Sequence, residues 1–241
     1  MNGIIIANKP KSWTSFDVVA KIRNLTKVKK VGHSGTLDPM ATGVLPIFLG
    51  SATKTIRYFI EGDKAYLGEM TLGVKTDTGD ADGKRVSGDP EIKVSGAQIE
   101  EIFKKYTGEI EQIPPMYSAV KVKGERLYKL ARQGIVVKRE PRKVKIYDLH
   151  MTHDDSRIAT EGRIPFFVAC SKGTYIRQLV QDMGDDLGCG AHLSQLERIY
   201  AHPFHISQAI KLETIITLAG VGRLASIIIQ VEDLLSEQRA S

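Results

Sequence analysis

The apolar positions change period several times along the chain, and each change marks an element. Residues 3–7, Gly-Ile-Ile-Ile-Ala, form a short unbroken apolar run and predict a short buried strand. Thr14, followed three residues later by Asp17, is a capping arrangement that opens a helix with Phe16, Val19 and Ile22 spaced around it. Residues 31–50 have no period. Glycines at 32, 35, 43 and 50 and prolines at 39 and 46 predict a shaped irregular loop, interrupted by the apolar run 44–49 that leads into a strand. Alternation over 65–74 predicts a further strand, and 77–90 is polar and turn-rich. Ser95 with Gln98 starts a helix that runs to about residue 106, and Pro114-Pro115 stops regular structure. Within 121–145 a short helix is expected over 125–132, ended by Gly134 and lying between strand-like stretches. Residues 164–170 read as a strand, Gly173-Thr174 as a turn and N-cap, and 175–187 as a helix ended by Gly188. Helices and strands mix without strict alternation. The expected class is α+β, with a mixed, mostly antiparallel central sheet flanked by helices. With no repeat, low-complexity tract or linker, residues 1–241 are expected to form a single domain.

Composition agrees with that picture. At 42% hydrophobic and 26% charged residues, the chain has the side chains for a buried core, which excludes collagen-like, coiled-coil and disordered classes. No stretch approaches the roughly 18 apolar residues that span a bilayer, and the N-terminal apolar run is too short for a signal peptide. We expect a cytoplasmic monomer with no membrane partner. Cys170 and Cys189 make no disulfide framework and carry no zinc-ligand spacing, so no metal is expected.

Charge changes the picture more. The net charge of +6 is modest, but residues 1–30 carry +6 and residues 121–145 carry +8, which leaves −8 for the remainder. Clustered Lys and Arg neutralise phosphates and release counterions, whereas evenly mixed charges do not. A nucleic acid is therefore the leading partner. Tyr117, Tyr128 and Tyr147 are sparse among the cations of the second cluster, which favours tracking of a phosphate backbone over extensive base stacking.

Chemistry concentrates in 31–46, where an imidazole, a carboxylate and several hydroxyls stand between glycines. A phosphate-cradling Walker loop is ruled out, because neither Gly35 nor Gly43 is followed by Lys-Ser or Lys-Thr. By spacing alone the segment could equally be an ordinary Asp-Pro turn. The string His33-Ser34-Gly35-Thr36-Leu37-Asp38-Pro39-Met40-Ala41-Thr42-Gly43, however, closely resembles the active-site motif of the TruB family of tRNA pseudouridine-55 synthases. Four more blocks match in the family's order. They are Asn8-Lys9-Pro10 with Thr14-Ser15; Lys64-Ala65-Tyr66 leading to Thr76-Asp77-Thr78-Gly79-Asp80; Pro114-Pro115-Met116-Tyr117-Ser118-Ala119-Val120-Lys121; and Gly173-Thr174-Tyr175-Ile176-Arg177 continuing to 187–193. The resemblance covers about residues 3–205.

This resemblance implies a pseudouridine synthase fold and isomerisation of uridine 55 in the T-arm stem-loop of tRNA, by base flipping and an aspartate nucleophile. Asp38 is that aspartate. Attack at C1′, attack at C6 and a glycal route all remain open. A desolvated carboxylate needs a compensating cation, which the resemblance identifies as Arg177. Tyr66 would stack on the flipped uracil and assist proton removal at C5. His33 would support the RNA around the extruded nucleotide, and Tyr175 and Leu193 would line the base pocket. Lys9, Lys64, Lys121, Lys123, Arg126, Arg132 and Arg142 are the expected RNA-contacting cations, five of them in an RNA-gripping thumb over 117–145. No cofactor is expected, since an isomerisation needs neither redox change nor group donor.

The chain departs from the family pattern in three places. It ends soon after residues 231–235, about where family members commonly begin a small module of the PUA type, so no such module is expected. Residues 197–204 replace a more basic, glycine-containing stretch, and Trp13 stands where glycine is common. Two other classes were weighed. An RNA chaperone would not need Asp38, and a metal hydrolase around His150, His153, Asp154 and Asp155 is better explained as a polar turn.

Overall fold

A computed structural model of the chain describes residues 1–91, 93–122, 124–152, 162–232 and 234. Helix and sheet are mixed, and the pairings of the main sheet are mostly antiparallel, so the α+β expectation holds. The chain forms two compact units, residues 1–65 with 197–241 and residues 66–196.

The first unit is organised around the strand Gly3–Lys9, which pairs antiparallel with Thr42–Leu49, from Gly3 opposite Leu49 to Lys9 opposite Gly43. Ile210–Lys211 adds in parallel to the first strand, while Glu197 and Arg198 pair in parallel with Thr42 and Gly43. The run 3–7 shows no alternation because both of its faces are covered. Ile5 and Ala7 pack with Val18, Val19 and Ile22 of the helix Ser15–Thr26 and with Leu212 and Ile215 of the helix Leu212–Gly220. Ile4 and Ile6 pack on the other side with Phe48, Phe59 and Phe204. The helix Ser15–Thr26 starts as its sequence predicts. Thr14 Oγ1 accepts from the Asp17 amide at 3.1 Å, and Asp17 Oδ2 accepts from the Thr14 amide at 2.9 Å. Residues 31–33, expected to be irregular, instead form a short strand against 47–49. Three residues carry no period of their own, and their conformation is set by the strand they pair with.

In the second unit Arg142–Met151 pairs antiparallel with Gly108–Gln112 on one side and Arg163–Cys170 on the other. Burial of Ile164, Phe166, Val168 and Cys170 follows the period of two. The helix Gly96–Lys105 begins at a Ser95–Gln98 capping box and sets Phe103 edge-on to Phe166, with centroids 6.3 Å apart. The helix Ile176–Asp186 corrects one expectation: its N-cap is Tyr175, not Thr174. Thr174 Oγ1 donates to the Ser171 carbonyl at 2.9 Å and closes the preceding turn, one residue before the cap. The short helix near 125–132 covers Leu127–Arg132, because Glu125–Arg126 pair with Lys121–Val122 in a small hairpin.

Gly43 and Gly173 both have left-handed backbone, with φ of 102° and 80°, yet they differ in surroundings. A Cβ on Gly43 would overlap the Arg198 backbone, whereas one on Gly173 meets nothing within 4 Å. Gly173→Ala should cost about 1 kcal/mol in urea unfolding, the backbone penalty alone. Gly43→Ala should cost at least twice as much, because the paired strand must also move; equal costs would refute that close approach.

Candidate active site

Asp38 stands half-buried in the loop between the strands Val31–His33 and Thr42–Leu49. Several of the hydrogen bonds that hold the loop come from outside it. Its Leu37 amide donates to Ser15 Oγ at 2.9 Å, placing the start of the helix Ser15–Thr26 under it. The Ser12 amide donates to the Pro39 carbonyl at 2.8 Å, and the Ala41 amide to the Asp38 carbonyl at 3.1 Å, closing a turn. The ammonium of Lys9 donates to the carbonyls of Pro10, Trp13 and Pro39 at 2.9, 2.5 and 3.2 Å. Lys9 was expected to contact RNA, but its side chain is wholly buried. With its donors taken by carbonyls, it supports the loop from within.

Strand register accounts for the charge beneath the loop. Lys9 lies opposite Gly43, and Gly43 lies opposite Arg198, so two cations flank a residue with no side chain. Arg198 is 1% exposed; its Nε donates to the Val44 carbonyl at 2.8 Å and its Nη2 to the Gly35 carbonyl at 3.1 Å. Burial, reinforced by Arg198 and opposed by Asp38, brings the Lys9 pKa down to about 8. Burial together with the Arg198 cation also holds His33 below the usual histidine range, so its imidazole is neutral at pH 7. Lys64, also in the first unit, is half-buried and donates to the carbonyls of Ile60 and Gly62.

The second unit builds a different constellation. Arg177, in the first turn of the helix Ile176–Asp186, is 4% exposed. Its Nη1 donates to the Thr78 carbonyl at 2.6 Å and its Nη2 to the Tyr117 carbonyl at 2.8 Å, while Nε lies 3.6 Å from Asp80 Oδ2. Asp80 in turn accepts from Thr78 Oγ1 at 2.6 Å and from the Asp82 amide at 3.2 Å. A cation at a helix N-terminus opposes the helix dipole, and an anionic partner such as Asp80 offsets that conflict. The end of the helix is fixed by Gln112, which is 2% exposed. Its Oε1 accepts from the Tyr175 amide at 2.8 Å, and its Nε2 donates to the Tyr175 carbonyl at 3.1 Å. Leu193, fully buried, bridges to Asp80 through the backbone. Tyr66 is buried on the strand Lys64–Leu72, and Tyr175 is half-buried.

The expected site residues thus divide between units. Asp38, His33, Lys9 and Lys64 belong to the first, and Tyr66, Arg177, Tyr175, Leu193 and the thumb cations to the second. Lys121, Arg126, Arg132 and Arg142 are exposed, and the guanidiniums of Arg126 and Arg132 lie 6.0 and 5.5 Å from the centroid of the Tyr128 ring. Lys123, His153, Asp154 and Asp155 lie outside the described residues. Sequence reasoning gave no role to Asp80, Gln112 or Arg198. Asp80 closes the block Thr76–Asp80 that had been singled out, so a signal existed for it; Gln112 and Arg198 have no local pattern, since their partners are distant in sequence.

Comparison with known proteins points one way. Residues 23–176 match the family model for TruB family pseudouridylate synthase, N terminal domain, and residues 177–236 match that for tRNA pseudouridylate synthase B C-terminal domain. The chain is 48% identical over 223 residues to tRNA pseudouridine synthase B of Stutzerimonas stutzeri, covering 92% of this chain and 71% of that protein. The protein of the same name from Geobacillus thermodenitrificans is 45% identical over 98% of this chain and 78% of its own. Among solved structures, a chain of a Cbf5-Nop10-Gar1 complex gives a TM-score of 0.69 at 31% identity, covering 89% of this chain and 54% of that one. A chain of an H/ACA RNP bound to a substrate RNA containing 2'-deoxyuridine also gives 0.69, at 26% identity, over 95% of this chain and 59% of that one. The chain therefore spans little more than half the length of these two solved chains.

Two outcomes test the electrostatics. Below pH 8 both folded and unfolded Lys9 hold the proton, and the folded state bears the full cost of burying it. Between about 8 and 10.5 the unfolded state binds more protons, so stability rises with pH. The urea-unfolding free energy of wild type minus that of Lys9→Met should therefore grow across this window, by about 3 kcal/mol at most. A flat difference would show that Lys9 stays charged throughout. Asp80→Asn removes the anion beside a buried guanidinium and should cost about 3 kcal/mol by the same measurement; a change under about 0.5 kcal/mol would mean that the carbonyls alone hold Arg177.

Proposed function

Because the chain belongs to the TruB family of pseudouridylate synthases, we propose that it isomerises uridine 55 in the T-arm loop of tRNA to pseudouridine, with Asp38 as nucleophile. The reaction breaks the bond between N1 of uracil and C1′ of ribose, turns the base, joins C5 to C1′, releases the proton from C5 and leaves N1 protonated. Atoms balance without a donor or an oxidant. What the reaction needs is an ionised carboxylate held at the junction of sugar and base, and a base pulled out of its stack.

The observation that carries this reading is the loop around Asp38. It is a half-buried carboxylate on a backbone pinned by Ser12, Ser15 and Lys9, with two buried cations beneath it. A fixed backbone lowers the cost of presenting the nucleophile. Arg177 supplies a further cation for the reaction, kept in place by Asp80 and by the carbonyls of Thr78 and Tyr117. Tyr66 stacks on the extruded uracil and assists loss of the C5 proton, and Tyr175 and Leu193 shape the pocket for the base. His33, neutral at pH 7, offers a flat ring to RNA bases without adding charge. Lys121, Arg126, Arg132 and Arg142 neutralise phosphates of the T-arm, and their exposure supports that use.

The decisive experiment incubates wild type and Asp38→Asn with an unmodified T-arm stem-loop and analyses the nucleosides. Pseudouridine should form only with wild type, while the variant still binds the RNA. Conversion by the asparagine variant at the native rate would overturn the mechanism.

A further inference from the structure

A loop presents a reacting group well only when its ends are held, because any freedom there spreads over every residue between them. The Asp38 loop starts from Gly35 and rejoins the sheet at Thr42 and Gly43. One side chain touches both ends. Arg198 donates through Nη2 to the carbonyl of Gly35 and through Nε to that of Val44, while its own backbone pairs with Gly43.

The residue type matters. Guanidinium carries its donors in a rigid planar fork and can serve two carbonyls in different directions, whereas a lysine ammonium on a flexible stem has no such fixed geometry. Its position is costly as a matter of stability alone. A cation that is 1% exposed, across Gly43 from a second buried cation, loses its hydration, and an apolar side chain could fill the same space without that loss. What the apolar residue could not do is tie Gly35 to Val44.

We infer that Arg198 is a positioning residue for the isomerisation, a clasp that joins both ends of the loop so that the Asp38 carboxylate is held in one conformation. This rests on Asp38 being the nucleophile. In this scheme Arg198 acts through the backbone of the loop, and its contribution is to rate, not to capture of the RNA.

The test compares Arg198→Lys, Arg198→Met and Asp38→Asn with wild type. Release of tritium from a T-arm stem-loop labelled at C5 of uridine is followed under single-turnover conditions, with RNA affinity, thermal midpoint and amide exchange at residues 36–41 measured alongside. Arg198→Met should lose about 100-fold in rate and Arg198→Lys about tenfold, with RNA affinity within about threefold of wild type, since misplacement of a reacting group acts on the chemical step. Amides 36–41 should exchange faster in Arg198→Lys at an unchanged folded fraction. If Arg198→Met fails to fold, Arg198→Lys decides. Native rates in the Arg198 variants beside an inactive Asp38→Asn would overturn the clasp and leave the nucleophile standing. A rate loss that follows weakened RNA binding or a reduced folded fraction would also overturn it. Activity in Asp38→Asn would instead refute the nucleophile, and the clasp with it.

Discussion

Burying a cation costs several kcal/mol unless oxygen atoms replace the lost water. In the first unit that requirement and the shape of the Asp38 loop are the same constraint. Lys9 and Arg198 flank Gly43 across three adjacent strands, and the oxygens that solvate them belong to Pro10, Trp13, Pro39, Gly35 and Val44. Three of those carbonyls lie in the loop or at its return to the sheet. If the loop moves, the cations lose acceptors; if the cations move, the loop loses donors. Each arrangement supports the other in a segment rich in glycine and proline that lacks regular structure of its own.

The second unit reaches a similar result by a different route. Arg177 sits where the helix dipole disfavours it, and the carbonyls of Thr78 and Tyr117 together with Asp80 hold it there. Gln112 fixes the backbone of Tyr175 two residues before it. Both units therefore place a buried cation at a fixed point and take its acceptors from segments far apart in the chain. Lys121, Arg126, Arg132 and Arg142, by contrast, are exposed and keep their water.

Local signals were legible wherever the partner lay within a few residues. The capping boxes at Thr14 and Ser95 were readable because donor and acceptor are three positions apart. Thr174 shows the limit. Its sequence fits an N-cap, but its hydroxyl closes the turn on Ser171 and Tyr175 takes the capping position. The strand at 31–33 is a second case, since only pairing with 47–49 gives it an extended backbone. Lys9 is a third, because counting charge along a segment treats every lysine as exposed.

Taken by itself, the order of residues determined the family and with it the reaction, since five motif blocks in a fixed order are a property of the string. It also determined the α+β class and the positions of elements with a clear period of two or 3.6, but not the strand Ala191–Ala201 or the helix Leu212–Gly220. Only tertiary structure decided which cations are buried and which exposed, and that the distant residues Asp80, Gln112 and Arg198 meet Arg177, the Tyr175 backbone and the carbonyls of Gly35 and Val44. The physical reason is that burial and hydrogen bonding between residues 99 or 163 positions apart are set by strand register and packing, and no local pattern encodes them.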